Sequence, residues 1–207
     1  MASHVLGFVA ADGHGRVGME QVYDKQLTDP LSRGTPAMLS LDLRVQGALE
    51  DELERGIRDT GAVGAAGIVL DVDSGEVLAL ASLPSFNPNL IDSAGAANIF
   101  NRFTNQVYEL GSTFKPITIA AGIDAGVVSD FSKRYPAGHP LKVGDREIRD
   151  SHYLGASLNV PEALIHSSNI VTAQVADQLG ATRFNATMRS LGMNERPAIL
   201  SRGYGRA

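Results

Sequence analysis

Residues 108–126 read YELGSTFKPITIAAGIDAG, and the way this stretch folds decides how the rest of the chain is read. Phe114, Ile117, Ile119, Ala120, Ala121 and Ile123 mark an apolar helix suited to burial. Pro116 fixes where that helix begins, because proline is tolerated only in a first turn, where its missing N–H has no partner to lose. The start therefore falls between Gly111 and Thr113. Ser112 then stands at the positive end of the helix dipole, with Lys115 one turn on along the same face. In the plain reading Ser112 is a capping serine and Lys115 snorkels to solvent. In the other, a desolvated lysine gives up its proton and activates the serine hydroxyl, while backbone N–H groups at the helix start hold a developing oxyanion. S-x-x-K alone is too short to choose between them.

The whole chain sets the frame for that choice. It has 207 residues, 43% hydrophobic and 20% charged, the composition of a globular chain with a core. Its net charge of −5 and the lack of a Lys/Arg stripe argue against a nucleic-acid binder. There is no cysteine, so thiol nucleophiles, disulfides and thiolate metal sites are excluded. No run reaches the roughly 18 apolar residues of a membrane span, and MASHVLGF lacks the pattern of a signal peptide. His4, His14, His139, His152 and His166 show no metal-ligand spacing and read as surface or turn residues. The closing SRGYGRA reads as a solvated tail.

Residues 1–35 are rich in glycine and polar residues and read as a linker or remnant of an N-terminal module, with one helix around Gly18 to Leu27. Residues 36–207 read as a second region. It opens on an alternating, strand-like run at Ala37–Leu41. An amphipathic helix follows, with Val45, Leu49, Leu53 and Ile57 spaced four apart, and stops at Gly61. Its acidic residues Asp42, Glu50, Asp51, Glu52 and Glu54 read as a solvated face. Two apolar runs separated by Asp73-Ser74-Gly75-Glu76 predict a hairpin rather than a calcium loop. A smaller hairpin is predicted to turn at Gly144-Asp145, and helices are predicted over PEALIHSS, from Asn169 to Gly180, and over ATRFNATMRSLG.

In penicillin-binding proteins and class A β-lactamases, S-x-x-K is accompanied by an S-x-N motif and by K-[TS]-G. Ser85-Phe86-Asn87 lies in a loop, and Ser157-Leu158-Asn159 reads as a cap before Val160-Pro161. Ser167-Ser168-Asn169 lies between two helices, where side chains can project into a cleft.

The chain resembles the class B penicillin-binding proteins, in particular the septal D,D-transpeptidase of bacterial cell division. The resemblance is collinear through GRVGMEQVYDKQL, LSLDLRVQGALEDEL, GAAGIVLDVDSGEVLALASLPSFNPN, FNRFTNQVYELGSTFKPITIAAGID and the long stretch from Pro140 to Gly180. It implies an α+β fold of the transpeptidase and β-lactamase kind, with helices packed on an antiparallel sheet, here incomplete at the C-terminus. It implies that Ser112 is the nucleophile, Lys115 its base, Ser167 a proton relay to the leaving D-alanine, and Asn169 a donor to the substrate amide. The implied substrates are peptidoglycan stem peptides, with β-lactams as mimics and no metal or cofactor. Other cell-division proteins are implied as partners, at the periplasmic face of the inner membrane, with the anchor outside this chain. K-[TS]-G does not occur; Lys142-Val143-Gly144 precedes the second motif and belongs to a hairpin. Two alternatives remain. One is a non-catalytic structural module of the division machinery. The other is a β-lactamase or β-lactam sensor, against which the linker motif at Gly18 to Leu27 argues.

Overall fold

The computed structural model describes residues 1–91 and 95–195, so the expected tail SRGYGRA lies outside the described residues. The chain forms two compact units that divide between Val107 and Tyr108.

The first unit begins with α1 (Ser3–Leu6), the small antiparallel pair β1 (Phe8–Val9) and β2 (Gly15–Val17), then α2 (Gly18–Val22) and α3 (Asp24–Thr28). The single helix expected here is broken at Tyr23. The break frees Asp24, whose carboxylate accepts from Gly15 N at 2.8 Å and ties the second segment back to the β-pair. Apolar residues from this region share their burial with later ones: Ala2 and Val5 cluster with Leu80, and Phe8 and Val17 with Phe86.

The long helix α4 (Leu43–Thr60) is bounded by chemistry legible in the sequence. Asp42 caps it, accepting from Arg44 N at 2.8 Å and Val45 N at 3.4 Å, and Gly61 closes it in the left-handed region at φ 67°. Strands β3 (Ala65–Leu70) and β4 (Val77–Leu83) pair antiparallel with Ile68 opposite Leu80. Asp71 builds the turn between them, accepting from the backbone of Asp73 and Ser74. Leu49 and Leu53 of α4 lie over Gly67, where a Cβ would stand 3.0 and 3.4 Å from them.

Two expectations fail here. The alternating run before α4 forms no strand, because α4 itself occupies the edge of β4. Gln46 is fully buried; its Oε1 accepts from Leu80 N at 2.9 Å and its Nε2 donates to Leu80 O at 3.0 Å. The run is left with contacts from Ser40 Oγ to Val77 O and from Asp42 N to Leu78 O. Asp42 and Glu50 are likewise not a solvated face. Asp42 is the cap, held well below the usual carboxylate range chiefly by Arg44, and Glu50 accepts from Ala2 N and Gln46 Nε2. Two short helices, α5 (Ala96–Ile99) and α6 (Arg102–Asn105), complete this unit.

The second unit opens with a 3₁₀ turn over Gly111–Phe114 that runs into α7 (Lys115–Asp124). Then come β5 (Tyr135–Pro136), the hairpin β6 (Leu141–Val143) and β7 (Arg146–Ile148), β8 (Ser157–Leu158), α8 (Val160–Ile165), α9 (Asn169–Leu179) and α10 (Ala181–Ser190). β5 pairs with β8, and β6 with β7 across the Gly144-Asp145 turn, as expected. Asn159 caps α8 in a reciprocal box with Glu162. The core gathers Ile119, Tyr135, Leu158, Val160, Val171 and Val175. α7 and α9 meet at Gly122, where an added Cβ would lie 2.7 Å from Val175 Cγ1, so the close approach needs glycine. Only one face of α7 is buried; Ala120 and Ile123 are exposed.

Candidate active site

All four residues singled out in the sequence lie in the second unit, on the 3₁₀ turn, α7 and the α8–α9 junction. Ser112 sits in the 3₁₀ turn and is exposed, and Lys115 is the first residue of α7 and half-buried. The α-helix itself therefore starts after the expected Gly111–Thr113 boundary, the tighter turn serving as its first coil.

Three residues, His166, Ser167 and Ser168, join α8 to α9. Ser168 N donates to Ala163 O at 2.8 Å and Ser167 N to Leu164 O at 3.2 Å, the paired bonds of a Schellman termination. That motif needs a left-handed residue at the position Ser167 occupies, and Ser167 adopts φ 56°. Glycine is the usual occupant because a side chain there costs about 1–2 kcal/mol. Ser168 then caps α9, its Oγ accepting from Val171 N at 3.1 Å, and is fully buried. So the three residues of S-S-N do different things: a strained residue turns the chain, a buried one caps the next helix, and Asn169 begins it.

The strained conformation sends the Ser167 hydroxyl to the lysine and the other serine. Lys115 Nζ donates to Ser167 Oγ at 2.8 Å and to Ser167 O at 2.5 Å, and Ser167 Oγ donates to Ser112 Oγ at 2.9 Å. Lys115 thus reaches Ser112 through Ser167. Burial pushes the Lys115 ammonium below its ordinary value, partly opposed by the negative charge of Asp150. Asn169 stands at the rim, one N–H of its amide donated to Arg149 O at 2.8 Å and a second N–H on the same nitrogen. Chemically, this is a hydroxyl within a proton-transfer chain that ends on an amine of lowered basicity.

Residues 65–203 match the penicillin binding protein transpeptidase domain. The chain belongs to this family. It is 41% identical over 199 residues to the probable peptidoglycan D,D-transpeptidase FtsI of Caulobacter vibrioides, covering 94% of this chain and 33% of that protein. It is 32% identical over 219 residues to the probable peptidoglycan D,D-transpeptidase PenA of Neisseria gonorrhoeae, covering 94% and 37%. Among solved structures, penicillin binding protein 3 of Mycobacterium tuberculosis complexed with aztreonam gives a TM-score of 0.84 at 23% identity, covering 99% of this chain and 47% of that one. PBP2 of Pseudomonas aeruginosa in complex with WCK 5153 gives 0.78 at 25% identity, covering 100% and 51%. The transpeptidase-family chain therefore spans 33–37% of these curated relatives and 47–51% of these structures. The α+β transpeptidase fold expected from the sequence is the one observed, present in part.

Two residues of this candidate site were not singled out in the sequence. Ser168 looked like filler within S-x-N, and Asp150 stood in a polar loop; the N-capping chemistry of serine and aspartate was the available signal. Of the five histidines, His4 departs from the expected surface position. It is buried, with Nε2 2.6 Å from Asn98 O and its ring edge-on to Phe86, and burial pushes its imidazole below the ordinary value. Lys142-Val143-Gly144 lies on β6 and its turn, as expected for a hairpin.

Proposed function

We propose that this chain carries the nucleophilic part of a peptidoglycan D,D-transpeptidase that works through a serine acyl-enzyme. The observation that carries the reading is the unbroken Lys115–Ser167–Ser112 hydrogen-bond chain. With Lys115 protonated, the chain points from lysine to Ser112. Once Lys115 loses its proton the direction reverses: Ser112 donates to Ser167 and Ser167 to Lys115. The Ser112 oxygen then attacks the penultimate D-alanine carbonyl of a stem peptide. The C–N bond to the terminal D-alanine breaks, and the departing amine takes its proton back through Ser167. An amine of a neighbouring stem resolves the ester, Ser112 recovers its proton, and the cross-link forms. Asn169 offers its N–H to the substrate amide. A β-lactam enters the same first step and leaves a stable ester.

In this reading residues 1–35 are a linker or remnant of an N-terminal module and residues 36–207 the N-terminal part of the transpeptidase domain. The enzyme acts in septum synthesis with other division proteins, on the periplasmic face of the inner membrane. Among the described residues no helix is long and apolar enough to cross a membrane. A second reading, an inert module of the division machinery, is favoured by the lack of K-[TS]-G within the 207 residues.

Mixing the chain with a stem pentapeptide ending in D-Ala-D-Ala and an acceptor amine decides between them. The enzyme reading expects free D-alanine and a cross-linked product that vanish in Ser112→Ala. Release equal to that of Ser112→Ala favours the inert module.

A further inference from the structure

The S-S-N turn is held by a residue outside it. Asp150, just after β7, turns both carboxylate oxygens toward the first turn of α9. Its Oδ1 accepts from Asn169 N at 2.5 Å and Ile170 N at 3.1 Å, and its Oδ2 accepts from Ser168 Oγ at 2.8 Å. Ser168 Oγ in turn accepts from Val171 N. The first three amide donors of α9, which the helix cannot satisfy internally, are thereby all taken. A negative charge also faces the positive helix end. An ordinary cap needs one acceptor oxygen; here the second oxygen fixes the buried Ser168, and Arg149 O accepts from Asn169 Nδ2 beside it. The loop therefore clamps two of the three S-S-N residues, and the third, Ser167, is covalently bound between the clamp and the end of α8.

We propose that Asp150 is a positioning residue for this site, holding the α8–α9 turn so that the Ser167 hydroxyl stands between Lys115 and Ser112. It acts through Ser168 and the α9 backbone, and the inference rests on the serine acyl-transfer reading above. Its charge reaches the site as well. The elements packed against α7 carry Glu162, Asp177, Arg183 and Arg189, with His166 closing α8 and Asp124 on α7 itself. Beside these, it is the Asp150 carboxylate whose charge bears on the Lys115 ammonium.

The test is nuclear magnetic resonance on the 207-residue chain with ¹³C-labelled lysine, following the Lys115 titration and the exchange of the Asn169 and Ile170 amides. In Asp150→Ala both amides are expected to exchange roughly five- to tenfold faster, as on losing a cap, and the Lys115 titration moves to lower pH. Asp150→Asn keeps an acceptor oxygen, so the fold and the amides stay close to wild type while the Lys115 titration still moves down. A Lys115 titration unmoved in Asp150→Asn overturns the proposal, since Asp150 is then only a helix cap; so do amides unaffected in a folded Asp150→Ala. Neither readout depends on turnover. Absence of D-alanine release from the wild type, with these shifts present, sinks the transpeptidase reading and leaves the positioning role standing.

Discussion

Ser167 Oγ donates to Ser112 Oγ across 2.9 Å while accepting from Lys115 Nζ at 2.8 Å. The two serines come from segments 55 positions apart in the chain, and the lysine that serves the first does so through the second. The hydroxyl that makes this link sits on a residue in the left-handed backbone region, where glycine would be more comfortable.

Stability and activity therefore oppose each other at Ser167. Ser167→Gly relieves the backbone strain and is expected to raise unfolding stability by about 1 kcal/mol. It also removes the proton link and lowers penicillin acylation by about 10²-fold or more. Ser167→Ala loses the same activity and gains no stability. Thermal melts and acylation rates of the pair check this, and a Ser167→Gly that acylates at the wild-type rate contradicts the relay.

The acylation rate of the wild type is expected to rise with pH through one ionisation lying below the 10.5 of an ordinary lysine, because burial disfavours the Lys115 ammonium. The stability sign follows from the same shift. Between the lowered value and 10.5 the unfolded chain binds more protons, so this group costs stability at lower pH and the cost fades as pH rises through that window. Rate–pH profiles of the wild type and Lys115→Met check the assignment, the second being low and flat.

Gln46 stands in for a neighbouring strand on β4. Replacing it with leucine leaves the N–H and C=O of Leu80 without their partners in a buried site, for an expected loss of about 2–3 kcal/mol. Denaturant titration measures it; a loss no larger than that of an exposed substitution on α4 contradicts the role.

Tyr135 is 2% exposed, and among the described residues its hydroxyl is buried without a hydrogen-bond partner. Tyr135→Phe is expected to stabilise by about 0.5–1 kcal/mol, because the ring packing stays and an unpaired hydroxyl goes. That corresponds to a rise in Tm of roughly 1–4 °C for a chain of this size.

The local rules were legible wherever a residue's neighbours in sequence are its partners in space. Gly61 after α4, the Asp71–Glu76 turn, Pro116 and the Asn159–Glu162 box were all open to that reading. What escaped depends on contacts distant in the chain. Gln46 looked like one more polar helix residue until Leu80, 34 positions on, met it, and that contact displaced the strand expected before α4. Asp150 looked like loop until α9 folded onto it. The S-x-x-K and S-x-N residues could be picked out by motif, but the order Lys115, Ser167, Ser112 within the proton chain follows only from the left-handed turn at Ser167.

The central claim is that Ser112 is chemically activated, and intact-mass measurement after incubation with a labelled penicillin tests it most directly. The account predicts one adduct per chain, mapped to the peptide holding Ser112 and lost in Ser112→Ala. An unlabelled wild type that circular dichroism shows to be folded, or an adduct that survives Ser112→Ala, would contradict it.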